Sequence, residues 1–264
     1  MNSSNPVLGK AFGNRRGYAS MGTIPQNTEV DNLEETYNAP AASSLRTGRM
    51  TMDDVVARTG MLFGTSILVG ASAWYFNLGG GALMVGFIGG LVTAMIGIFS
   101  MTVRPAVYLA YAVCQGLTLG IISKVYETLY DGIVQQAIVA TSAAFVGMLF
   151  MYKSGRLRAT PKFTKVLLGA ALGYLVLGLG SLISVLFGGG SLYSLSLFGP
   201  MLAFAGVAIA SFFLILDFDQ AEQGVRMGVP QEESWRAGFG LLMTVVWLYL
   251  EILRLLAILR GNND

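Results

Sequence analysis

Histidine is absent from this 264-residue chain, cysteine occurs once, and Asp, Glu, Lys and Arg together make up 12% of it. Without His there is no base for a Ser–His–Asp triad and no imidazole for a zinc site, and a lone Cys114 cannot form an internal disulfide. The shortage of charge excludes more. A soluble domain carries about 25% charged residues, and a chain with half that share cannot cover a water-facing surface. In lipid the requirement reverses, because the outside must be apolar and every backbone polar group must be satisfied internally.

Apolar residues are plentiful: 54% of the chain is hydrophobic and 34 positions are Gly, a residue commoner in membrane helices than in soluble ones. Apolar runs close to the roughly 20 residues of a bilayer crossing fall at 60–78, 80–102, 105–123, 132–152, 164–187, 196–217 and 236–259. The expected fold class is therefore an all-α integral membrane protein with seven transmembrane helices. Residues 1–55 are polar and are expected to form a disordered cytoplasmic tail, leaving 56–264 as one membrane domain. No apolar run follows Met1, so no cleavable signal peptide is expected. Asp53 and Asp54 suit a helix N-terminus, where carboxylates oppose the helix dipole.

Charge asymmetry sets orientation. With seven spans and the N-terminus inside, fourteen of the seventeen Lys and Arg residues fall in the tail and in loops 2–3, 4–5 and 6–7. Lys124, Arg254 and Arg260 are the exceptions. The positive-inside rule then predicts a cytoplasmic N-terminus. Four Gly-x-x-x-Gly pairs, 60/64, 86/90, 116/120 and 169/173, mark sites of close helix approach, chiefly within the monomer, with a dimer seam as the alternative. Gln115 is a polar group inside span three, for which an interhelical hydrogen bond and a pore-lining position are both open, and Cys114 beside it reads as a packed apolar residue.

The ionisable residues inside the bundle cluster near its C-terminal end. Span six finishes Ile215-Leu216-Asp217-Phe218-Asp219-Gln220, and span seven contains Leu248-Tyr249-Leu250-Glu251-Ile252-Leu253-Arg254. An acid at mid-span costs about 2.5–3.5 kcal/mol on insertion scales, so Glu251 requires a reason. Three remain open. Glu251 can pair with Arg254, three residues on and on the same helical face. It can share a proton or a hard cation such as Ca²⁺ with Asp217 or Asp219. Or two acids can activate water for peptide cleavage. A hairpin folded about Gly228–Glu233 places Asp217 and Asp219 opposite residues near 242–244, and Glu251 about 10–14 Å deeper at 1.5 Å per residue. Direct pairing of the acids then needs an asymmetric or re-entrant loop, or an extra helical stretch over Gln220–Gly228 that shifts the register.

These segments, in this order over about residues 50–260, resemble the transmembrane Bax inhibitor motif family in its bacterial branch. Thr160-Pro161-Lys162-Phe163-Thr164 and Asp53-Asp54-Val55-Val56 resemble an actinobacterial subgroup in particular. The resemblance implies six helices around a central seventh and a pH-sensitive calcium leak gated by two acids. By position, Glu251 stands for the span-seven Asp, and Asp217, with Asp219 as the alternative, for the span-six Asp. Asp217 and Glu251 become the implied Ca²⁺ contacts, and Arg254 and Gln115 modulating neighbours. The chain departs from the family pattern in having Glu in span seven, no Thr after the span-six acid, and a longer stretch between the acids.

The leading functional expectation is a pH-sensitive cation leak in a bacterial plasma membrane, with lipid and cations as partners, no cofactor beyond Ca²⁺ itself, and no nucleic acid. The alternative is a non-conducting regulator that binds other membrane proteins, such as a protease. An intramembrane aspartyl protease is more remote, because Gly238-Phe239-Gly240 is followed by Leu241 where such enzymes carry Asp. No enzyme activity is expected.

Overall fold

The computed structural model describes residues 48–188 and 198–261. Among them it contains seven helices, each long and apolar enough to cross a bilayer: α1 (Met52–Tyr75), α2 (Gly80–Phe99), α3 (Pro105–Leu129), α4 (Ile133–Lys153), α5 (Pro161–Leu186), α6 (Phe198–Met227) and α7 (Glu233–Gly261). The chain is an integral membrane protein of the polytopic helical kind. The expected disorder of the tail falls on positions 1–47, outside the described residues.

Local chemistry explains the helix ends. Thr51 caps α1 by accepting from the Asp54 N–H, while the Asp54 carboxylate accepts from the Thr51 N–H, a reciprocal box that satisfies two otherwise orphan donors. The helical domain thus begins before position 56. Pro105 and Pro161 open α3 and α5, where the missing N–H costs nothing. The largest departure from the sequence expectation is α6, which continues ten residues past 217. Hydropathy marks only the stretch that fits the bilayer. Thirty residues span about 45 Å at 1.5 Å each, against a hydrocarbon core of about 30 Å. The polar overhang is knit by spacing-four pairs, Gln223 to Asp219 and Arg226 to Glu222.

The last helix divides the core. One face of α7 sets Phe239, Leu242 and Val246 against Leu62 of α1 and Tyr108 and Tyr111 of α3, with both Tyr rings 4.9 Å from the Phe239 ring. The other face sets Leu241, Leu248 and Ile252 against Ile133 and Ala137 of α4 and Ala210 and Leu214 of α6. So α7 lies along α1, α3, α4 and α6. The outer helices are touched at single points: Phe239 lies over Gly97 of α2, and Glu251, Trp247 and Arg254 meet Tyr174 of α5. Along their length α2 rests on α3 and α5 on α6.

Contacts gather the loops at two ends. At one end, Met50 N–H donates to the Val229 carbonyl (2.8 Å) and Gln231 N–H to the Gly48 carbonyl (2.9 Å), so the segment before α1 pairs with the α6–α7 loop. Arg236 donates to the carbonyls of Ser100 and Met101 in the α2–α3 loop at the same end. At the other, Lys124 donates to Trp74 and Asn77, and Arg260 to the Asp131 carbonyl. Three of the segments that the charge count assigned to one side of the bilayer, the one before α1 and the α2–α3 and α6–α7 loops, are therefore joined at one end.

The glycine pairs part company. Gly116 and Gly120 of α3 pack backbone to backbone on Ser66 and Gly70 of α1, where an added Cβ would overlap carbonyl oxygens. Gly86 and Gly90 receive Thr118 and Gln115 in the α2–α3 seam. Around Gly60, Gly64, Gly169 and Gly173 nothing lies within 4 Å of where a Cβ would be. Accordingly Gly120→Ala should destabilise the detergent-solubilised protein by about 1–3 kcal/mol, the cost of overpacking. Gly173→Ala should be neutral or stabilising by up to about 1 kcal/mol, because Ala favours the helix. Thermal unfolding of the two variants decides it, and equal effects would contradict the packing described.

Candidate functional site

Helix α6 and helix α7 run antiparallel in an unbroken register. Gly206 faces Glu251, and Gly240 faces Asp217. Gly206 and Asp217 are eleven positions apart on α6, and Gly240 and Glu251 eleven apart on α7, about 16 Å in each case at 1.5 Å per residue. The stretch Gln220–Gly228 continues α6 as regular helix to Met227 and shifts nothing, and the turn that follows is short. The structure therefore corrects the expected pairing: Glu251 and Asp217 occupy two different depths and cannot hold one Ca²⁺ or one proton between them. The same separation leaves no shared water for peptide cleavage by two acids.

Glu251 sits in a closed set of partners. It is 4% exposed. The Tyr174 hydroxyl donates to its Oε2 at 2.7 Å and the Trp247 indole N–H to its Oε1 at 3.1 Å. Arg254 Nη1 lies 3.2 and 3.1 Å from the two carboxylate oxygens, and 3.4 Å from the Tyr174 hydroxyl. A Cβ at position 206 would stand 2.7 Å from Glu251 Oε2, so only glycine leaves room for the carboxylate against α6. The rings of Tyr174 and Phe213 flank Trp247 at 6.2 and 5.7 Å. Of the three readings of Glu251, the intrahelical pair with Arg254 is present, reinforced by Tyr174 from α5, with room left for it by Gly206 of α6.

Asp217 is differently placed. Thr244, one turn beyond Gly240 on α7, stands beside its carboxyl group. Its Oδ2 is out of contact with the surface and has no hydrogen-bond partner among the described residues. A pocket of about 320 Å³ reaches Asp217 from the end where α6 joins α7, past Gln220, Glu233 and Arg236, with Met50 on its wall. Met50 is held there by the backbone pairing to Val229 and by Gly224, whose missing side chain its methyl group occupies. Arg236 is engaged by Glu233 at 3.0 Å.

Asp219 points the other way, towards α4. The Tyr152 hydroxyl lies 3.4 Å from Asp219 Oδ1 and also donates to Glu222. Gln115 and Cys114 lie in the α2–α3 seam against Gly90 and Gly89, which is the packing position, and touch neither acid. Among the described residues no three of His, Cys, Asp and Glu stand together as a metal cage. Tyr174, Gly206 and Thr244 are site residues that sequence reasoning did not single out. Trp247 could have been found, since it precedes Glu251 by one helical turn. Tyr174 and Gly206 carry no local signal, because their role exists only across helices.

A seven-helix membrane bundle with a clamped acid at mid-depth of its last hairpin and a second, partly unsatisfied acid near one end defines the class. Residues 5–261 match the family model described as Bax inhibitor 1 like, and the chain belongs to that family. No curated protein matches it.

The clamp makes an unequal prediction for its two charged members. Arg254→Leu leaves a buried carboxylate with only neutral donors and should cost about 1–3 kcal/mol. Glu251→Gln keeps acceptor and shape, and frees Arg254 to extend towards the interface, so it should cost less. Unfolding midpoints in detergent test the order, and a larger loss for Glu251→Gln would show that Arg254 is not the supporting partner.

Proposed function

We propose that this protein is a slow, pH-sensitive cation leak, with Ca²⁺ as cargo and Asp217 as the ion-facing acid. The observation that carries the reading is the unpartnered Asp217 Oδ2 beside a pocket open at one end of the bundle. A carboxylate near the hydrocarbon edge with a free oxygen needs a proton or a cation. The oxygens of Asp217, Gln220 and Glu233 suit a hard cation, yet fall short of the six to eight ligands of a resident Ca²⁺ site. That shortfall fits an ion that passes, because conduction needs binding weak enough to release. Glu251 is assigned a sealing role, since its partners close the hairpin further along the path. The charge distribution supports a reading in which the Asp217 end and the N-terminus face the cytoplasm of a bacterial plasma membrane. No catalytic step is involved.

The regulator reading draws on the same clamp: the deepest acid is fully engaged, as in a bundle that conducts nothing and serves as a docking partner for other membrane proteins. Proteoliposomes containing only this chain and a Ca²⁺ gradient separate the two. The leak predicts flux through the wild type that declines as pH is lowered from about 8 to 5, where a chain without His can respond only through perturbed carboxylates or the α-amino group. Asp217→Asn should abolish both flux and pH response. A wild type that folds but passes no Ca²⁺ at any pH would replace the leak with the regulator.

A further inference from the structure

Helices α1 and α4 both pack along α7 without packing along one another. Between them lies a crevice of about 1100 Å³, floored by α6 and α7, above the roughly 300–1,000 Å³ of small-molecule pockets. Its walls are apolar along most of their length, with Phe63 on one side and Phe145 and Leu149 on the other. It runs from Thr141 to Lys153 on α4, twelve residues or about 18 Å, close to one leaflet's share of a hydrocarbon core about 30 Å thick. Gly60 lines it, one of the glycines that no helix packs against. Its small size keeps the crevice open.

The rim at one end is charged. It carries Lys153, Arg158 and Arg226 beside Asp53, Asp219 and Glu222. The acids are largely spoken for. Glu222 accepts from Arg226 and Tyr152, Asp219 from Tyr152 and Gln223, and Asp53 sits in the first turn of α1 against the helix dipole. Arg226 is thereby paired. Lys153 and Arg158 make no ion pair among the described residues. Two cations are thus left to meet an anion, directly above an apolar slot one leaflet deep.

We propose that the crevice between α1 and α4 is a binding site for one phospholipid, its acyl chain along Gly60 and Phe145 and its phosphate against Lys153 and Arg158. The site lies apart from Asp217 and Glu251, so it does not depend on the chain conducting ions. Its occupant would brace two helices that the protein itself leaves unjoined.

The test uses the full chain, purified and stripped of lipid by extended detergent washing. Phosphatidylglycerol, a diacylglycerol of matched chains and inorganic phosphate are each titrated, with bound copies counted by native mass spectrometry. One retained phosphatidylglycerol is expected, with at least tenfold weaker retention of diacylglycerol and no retention of phosphate alone. Gly60→Phe, which fills open space, should abolish that retention, and Lys153→Ala with Arg158→Ala should weaken it at least tenfold. The two rim positions lie outside the packed core, so they decide the matter even where Gly60→Phe fails to fold. Equal retention of diacylglycerol would reduce the crevice to ordinary lipid-facing surface and overturn the proposal. So would phosphatidylglycerol binding that is unchanged in the rim variant.

Discussion

An ionised acid in the hydrocarbon of a bilayer must be met by partners from the protein, and the hairpin of α6 and α7 is organised around that constraint at Glu251. Meeting it takes a guanidinium and an indole from α7, a phenol from α5, and an absent side chain at Gly206 on α6. These contacts do more than neutralise a charge. They fix which face of α7 meets α6 and draw in α5, which otherwise lies along α6 alone. Burying a pair like Glu251–Arg254 adds little stability compared with an apolar pair of the same shape, whereas removing one member is costly. The clamp is better understood as fixing the packing of three helices than as a source of net stability.

Once that register is set, the depth of everything else on the hairpin follows. Asp217 falls opposite Gly240, eleven residues from the level of Glu251. The polar end of α6 then projects beyond the bilayer, where Asp219 and Glu222 meet Tyr152 of α4. The segment at Met50 folds over the pocket that leads to Asp217. Two acids that look adjacent in a motif comparison are therefore distinct in environment: one has its oxygens engaged, the other has an oxygen to spare.

Seven spans and their order were legible because apolar length and charge asymmetry are one-dimensional properties that lipid enforces directly. The hairpin depth was legible to within two to four residues: counting from the Gly228 turn placed Asp217 opposite residues near 242–244, and it lies opposite Gly240. The resemblance pointed to spans six and seven and implied a pairing of their acids, whereas the antiparallel register of α6 and α7 sets Asp217 and Glu251 at different depths. The start of α1 and the extension of α6 escaped hydropathy because helical hydrogen bonding continues into water while apolarity stops. Tyr174 and Gly206 were illegible for a deeper reason. A tyrosine in an apolar run and a glycine among thirty-four acquire their role only when a third helix brings them to a carboxylate. The Gly-x-x-x-Gly pairs show the same limit. The identical spacing is a tight seam at 116/120 and an open face at 60/64, and only the neighbours distinguish them.

The central claim is that Glu251 and Asp217 are energetically separate, and a double-mutant cycle measures that separation directly. Glu251→Gln, Asp217→Asn and the double variant would be compared with the wild type by equilibrium unfolding in detergent. Sites about 16 Å apart with no shared partner should be additive within about 0.5 kcal/mol. A coupling energy above about 1 kcal/mol would mean that the two carboxyl groups interact after all, and would contradict the two-site account.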